Sequence, residues 1–274
     1  MKLRHGVTLL ELMVTIVILA ILGTGLTRLL TSQARFYEHQ GAGRTARSVS
    51  RAAVNVLLSE MRMVEAPGGV VAASPTSVTL RVPFAVGLVC GPVAGATTLT
   101  LLPADSAMLA EPGFSGYAWR NNAGAYTYVE VGAAIGNSVP APCTAAGVTP
   151  VPGGRIVAVA PALPAGATAG TAVLLFRRIT YDFANSTALP GRLALWRRVQ
   201  STGAAEELVA PFDASARFRF FALDAADAQD AAPPLANLRG LELVLVGESE
   251  GSPRITSAPR RASVTTAVFF RNKL

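Results

Sequence analysis

From residue 66 to residue 274 the chain contains no histidine; both histidines, His5 and His39, come earlier. Ser-His-Asp and Cys-His catalysis need an imidazole to move a proton near neutral pH, so neither is available there. The chain has two cysteines, Cys90 and Cys143. They are too few for a site of four thiolates, and no close set of His, Cys and carboxylate suggests catalytic zinc. Phosphate-binding glycine motifs are missing too: Gly41-Ala42-Gly43 lacks the preceding strand and the spacing that would give it meaning. No enzyme, cofactor or metal site is expected on these grounds. Proline is absent between Val7 and Ala66, so nothing there forces a helix to break. Charge is scarce, 15% of residues, though the balance is basic, with a net charge of +7. The arginines form no run but scattered pairs, Arg177-Arg178, Arg197-Arg198 and Arg260-Arg261. Neighbours on a strand face opposite ways, so such pairs build no patch and no specific nucleic-acid site is expected.

What is present begins at the N-terminus. Residues 1–6 read Met-Lys-Leu-Arg-His-Gly. From Val7 to Thr27 the chain is apolar apart from Glu11 and small polar threonines. As a helix that run is about 31 Å long, the thickness of a bilayer core. Lys2 and Arg4 form the positive flank expected in the cytoplasm, and Arg28 marks the far side. Glu11 is out of place in such a span, where a central charge costs about 2.5–3.5 kcal/mol. Beyond Thr31 apolar residues recur at Val54, Leu57, Leu58, Met61 and Val64, the spacing of an amphipathic helix. Arg47, Arg51, Asn55, Glu60 and Arg62 take mainly the other sides, and Pro67-Gly68-Gly69 is the expected stop. One long helix is predicted, half in a membrane and half packed on a head.

From about residue 74 the signals are β. Strands are predicted at 77–82, 97–102, 125–131, 155–160, 172–183, 192–200, 216–222, 238–247 and 263–271. Arg217-Phe218-Arg219-Phe220 alternates most clearly, aromatics on one face and charge on the other. The Pro/Gly/Ala-rich stretches 141–154 and 161–170 read as surface loops. A helix followed by strands on short turns gives an α+β fold with an antiparallel sheet. If the head lies outside the cytoplasm, a Cys90–Cys143 disulfide is the natural reading; two separate buried thiols are the alternative. Asp224, Asp227 and Asp230 lack the alternating ligands and central glycine of a calcium loop and read as a solvated segment. Glu248 and Glu250 read as a polar hairpin turn, and Trp119 and Trp196 as packing residues.

The first thirty residues resemble the N-terminal segment of type IV pilins and pseudopilins. Gly6 matches the position where prepilin peptidase cuts, and Val7 the new N-terminus that these systems N-methylate. Thr8-Leu9-Leu10-Glu11-Leu12 matches the family's Thr-Leu-aliphatic-Glu-Leu, with Glu11 as fifth mature residue, the one used in subunit assembly. One departure is Val7, where the family usually has Phe. An ordinary signal anchor would not keep a Glu, and a secretory signal is cut after its apolar run rather than before it. Further on, Ala267–Leu274 resembles the closing strand of PilW-type minor pilins, and the size and layout resemble J-type pseudopilins of type II secretion. Glu11 speaks against a K-type tip subunit.

The resemblance implies a leader at 1–6, a helix at 7–66 (span about 7–28, amphipathic part about 31–66) and a β-rich periplasmic head at 67–274. It implies a single pass through the inner membrane with the N-terminus in the cytoplasm, followed by entry into a filament. The implied partners are prepilin peptidase, other minor pilins or pseudopilins, and the inner-membrane assembly platform. The expected role is structural: priming or capping a type IV pilus. A J-type secretion pseudopilin is the alternative, and a membrane-anchored periplasmic binding module or enzyme outside any filament is a further one. A DNA-uptake role stays open.

Overall fold

The computed structural model describes residues 8–121, 123–252 and 258–270. Gly6, Val7 and the terminal Arg271-Asn272 pair lie outside them. Helix α1 runs unbroken over Leu9–Met61, as the absence of proline allows, and is about 80 Å long. Its buried residues are Ala46, Val49, Ser50, Ala53, Leu57 and Met61, a stripe at helical spacing confined to the last third. Val54 and Leu58 flank it, partly buried. The helix stops at Met61, short of Pro67-Gly68-Gly69. Val64 and Ala66, beyond its end, are still buried in the core. The proline and glycines shape the following turn, where Gly69 N–H donates to the Glu65 carbonyl at 2.9 Å.

The head is one antiparallel sheet, with thirteen strands among the described residues. In chain order they are β1 (Val70–Ser74), β2 (Ser77–Val93), β3 (Ala96–Leu101), β4 (Gly116–Arg120), β5 (Tyr126–Val129) and β6 (Ala134–Asn137). Then come β7 (Ile156–Ala160), β8 (Ala172–Asn185), β9 (Leu193–Val199), β10 (Ala205–Phe212), β11 (Arg217–Ala222), β12 (Leu238–Glu248) and β13 (Arg261–Phe269). Two short helices, α2 (Pro103–Leu109) and α3 (Ala141–Ala145), sit in the connections. The main path is β11-β12-β10-β9-β8-β2-β3-β7-β6; β13 adds to β12, β1 to β2, and the β4–β5 pair to β8.

The strands predicted by alternation all appear, and Phe218 and Phe220 turn fully inward. Four strands and both short helices were not anticipated. β2 also runs on through Pro83 to Val93. Proline normally stops a central strand; here the register with β8 slips between Pro83 and Ala85, the irregularity that accommodates it.

The buried side chains form two clusters. The first joins the α1 stripe to Val78, Leu80, Tyr181, Phe218 and Leu243. The second lies around Leu99, Tyr117, Trp119, Val157 and Leu175 and holds no residue of α1.

Candidate functional site

At the start of α1, Thr8 is the N-cap. Its Oγ1 accepts from Glu11 N–H at 3.3 Å, while Glu11 Oε2 accepts from Thr8 N–H at 3.2 Å. This reciprocal pair is a capping box, which satisfies two of the orphan donors of a first turn. Thr-Leu-Leu-Glu spells it in the sequence, so the cap was legible there although Thr8 was not singled out. The carboxylate also lies at the positive end of the helix dipole. Glu11 is thereby held in the first turn of α1, on an exposed surface.

From Leu9 to Glu38 every side chain of α1 is exposed, Leu19 at 63%. The helix is long and apolar enough to cross a bilayer. Its threonine hydroxyls bond back to their own helix: Thr15 Oγ1 to the Glu11 carbonyl at 2.7 Å and Thr27 Oγ1 to the Gly23 carbonyl at 2.8 Å. A polar group paired this way is tolerated in hydrocarbon.

Higher up, the helix is seated on β12 and β13 through one serine. Ser50 Oγ accepts from Gly247 N–H at 2.9 Å and donates toward the Ala262 carbonyl at 2.9 Å. A Cβ on Gly247 would stand 2.4 Å from the Ala46 carbonyl oxygen and 2.7 Å from Ser50 Oγ, so only glycine permits the approach. The end of the helix is fixed by a second contact. Glu60 accepts from the Tyr181 hydroxyl and pairs with Arg197 at 3.2 Å. Burial, then the Glu60 charge, pushes the Tyr181 phenol far above its usual range, so it stays a donor.

Elsewhere on the head, the candidate residues have structural partners. Cys90 and Cys143 form a disulfide, resolving the two readings of these cysteines. Cys143 is carried by α3, so the stretch 141–154 is not wholly a surface loop; it is pinned to β2. Among the described residues no group of three or more His, Cys, Asp or Glu is placed to share a metal ion. Asp230 is instead bonded by Arg217 Nε at 2.9 Å and Arg219 Nε at 3.2 Å. Glu248 departs from the polar-turn expectation: it is 3% exposed, at the end of β12, paired with Arg192 and with Arg261 Nε at 3.0 Å. A buried charge needs such partners, and the carboxylate pulls two arginines inward to get them. Glu250 is exposed. Two of the basic pairs split across faces as expected: Arg177 meets Glu111 and Arg178 meets Glu130, while Arg197 meets Glu60 and Arg198 meets Asp182; Arg260 and Arg261 instead line one concavity together. Trp119 is buried, and Trp196 is half-buried beneath the Arg198 guanidinium.

Residues 1–27 match the family model of the prokaryotic N-terminal methylation motif. No curated protein and no solved structure matches the chain. The motif implies processing by prepilin peptidase and assembly with other pilins. Its Glu11 stands on the first turn of an exposed apolar helix, and that helix runs into an antiparallel head. That combination supports a type IV pilin-like protein.

Proposed function

We propose that the protein is a minor pilin or pseudopilin that primes or caps assembly of a type IV pilus. In this reading the leader is residues 1–6, cut after Gly6, and Val7 becomes the N-methylated terminus. Residues about 7–28 span the inner membrane, and the head from residue 67 faces the periplasm until the subunit enters a filament. The role is structural, and the partners are other minor subunits and the assembly platform. A J-type pseudopilin of type II secretion would share this layout.

The observation that carries the proposal is Glu11, a carboxylate on the first turn of a helix whose Leu9–Thr27 segment is otherwise apolar apart from threonines and wholly exposed. In a lone chain it caps its own helix. In a filament the cationic Val7 amine of a neighbouring subunit is a stronger partner, because two opposite charges brought together each offset part of the other's desolvation. The capping box holds the carboxylate ready for that exchange.

The test is Glu11→Ala. Membrane insertion and removal of residues 1–6, read by intact mass, should persist, since a charge has left the span. Co-purification with partner prepilins or sheared filaments should fall at least about tenfold, the loss of roughly one charge pair. Normal incorporation of the cleaved variant would remove Glu11 from assembly and with it the main support for the reading.

A further inference from the structure

Just N-terminal to the Ser50 seat, the head-facing side of α1 changes character. Arg28, Thr31, Arg35, Phe36 and His39 line a groove of about 560 Å³, bounded on the other side by Arg260, the residue just before β13. Arg47 and Arg261 continue it toward the seat. Arg260 is turned into this groove by His39, whose Nδ1 accepts from its Nε at 3.1 Å. An imidazole neutralises nothing, so the guanidinium keeps its full charge.

Elsewhere most arginines of the head have a carboxylate partner; Arg120, Arg155 and Arg239 instead bond a carbonyl or amide oxygen. Arg81, Arg177, Arg178, Arg192, Arg197 and Arg198 all meet carboxylates. In the groove only Arg261 does so; among the described residues Arg28, Arg35 and Arg260 have no carboxylate partner. Three guanidiniums without carboxylate partners line one concavity, which raises the local positive potential and favours an anion there.

Its position says which anion. Arg28 directly follows the apolar run, at the level where hydrocarbon gives way to headgroups. Arg35 starts about 10 Å higher, but helical side chains lean toward the N-terminus, which brings its head back down toward Arg28. Phe36 and Tyr37, both exposed, supply aromatic rings of the kind that settle at a membrane interface. Juxtamembrane arginines at this height are drawn to anionic lipid.

We propose that the groove bounded by Arg28, Arg35 and Arg260 binds the phosphate of an anionic phospholipid headgroup in the leaflet on the head side. The lipid clamps the base of the head to the bilayer before the subunit is extracted. This rests on the membrane-spanning reading of residues 7–28.

The test uses the full chain. Carbonate washing of membranes comes first; a chain that washes off overturns the spanning reading itself. For an embedded chain, native mass spectrometry in detergent compares retention of phosphatidylglycerol and phosphatidylcholine. Retention of phosphatidylglycerol should be favoured at least about tenfold. Arg28→Gln/Arg35→Gln/Arg260→Gln should erase the preference, Arg→Lys at the same three positions should keep most of it, and Arg120→Gln on the far strand β4 should change nothing. An embedded wild-type chain that holds both lipids equally overturns the lipid site alone. So does displacement of the lipid by millimolar inorganic phosphate, or by a single-stranded oligonucleotide held through the same three arginines.

Discussion

Residues 9–45 and residues 46–61 belong to one unbroken helix, yet the first stretch buries no side chain in the protein and the second buries six. The difference is not one of hydrophobicity. Leu19 is 63% exposed and Leu57 is fully buried, although both are leucines on the same rod. Nor is the seat more apolar: it is built on Ala46, Ser50, Ala53 and Gly247, residues chosen for smallness. Close approach by small residues fixes the second stretch to the sheet. Within the first stretch, Leu9 to Thr27 is largely aliphatic on every side, a surface suited to lipid or to the helices of other subunits, where no single face is privileged.

The contrast between the two stretches predicts unequal costs of mutation. Leu57→Ala should lower the unfolding free energy of the head by about 2–5 kcal/mol, because a full side chain leaves a packed cluster. Leu19→Ala should change it by less than about 0.5 kcal/mol. Urea unfolding of the detergent-solubilised chain, followed by tryptophan fluorescence, reads both; equal effects would mean that the two stretches are not distinct. Reducing Cys90–Cys143, which stand 53 positions apart in sequence, should cost about 2–4 kcal/mol. The bond serves the part of the sheet that α1 does not touch, so hydrogen exchange at the Ser50 seat should stay slow while β3 and α3 loosen. Ser50→Ala leaves the Gly247 amide buried without its acceptor and should cost about 1–3 kcal/mol. Faster exchange confined to β12 and α1 is the expected signature.

The smallest effect is with acid. Glu207 is held at about 2 by hydrogen bonds from Ser186 and then Thr187. Its folded pKa lies below the ordinary carboxylate value of about 4.3, so its contribution is complete above that value and is lost as pH falls toward 2. The melting-temperature advantage of wild type over Glu207→Gln should therefore hold from pH 7 to about 5 and shrink by pH 3. An advantage that grows in acid would reverse the sign and discard the assignment.

Much of this molecule could be read from its residues. The helix was legible because proline is missing up to Ala66 and the Leu57–Met61 spacing repeats, and the aromatic strand β11 because Phe218 and Phe220 alternate with arginine. The disulfide partners were legible because there were no other cysteines to choose. Other parts were hidden for physical reasons. Strand β10 carries Glu206-Glu207 and Pro211, residues that disfavour a strand, and is held by its neighbour β9. Pro83 masks the second half of β2. The Ser50 seat was invisible because a serine on a helix reads as a solvent-facing residue until the sheet supplies its partners. Of the candidate site, Glu11 announced itself as a charge in the wrong place. The groove at Arg28 and Arg35 did not, since Arg260 joins them from more than two hundred residues away.

The seat also decides how the head responds to force. A machine that draws the helix out of the bilayer pulls along its axis, and the load must cross to the sheet where the two meet. Ser50 holds β12 through Gly247 and β13 through Ala262, and those strands are zipped to each other over nine residue pairs, from Gly240–Phe269 to Glu248–Arg261. Tension therefore enters the head through two strands at once and is spread along their ladder rather than borne by one bond. The coupling should yield by slippage of the helix past Gly247, before the strands part.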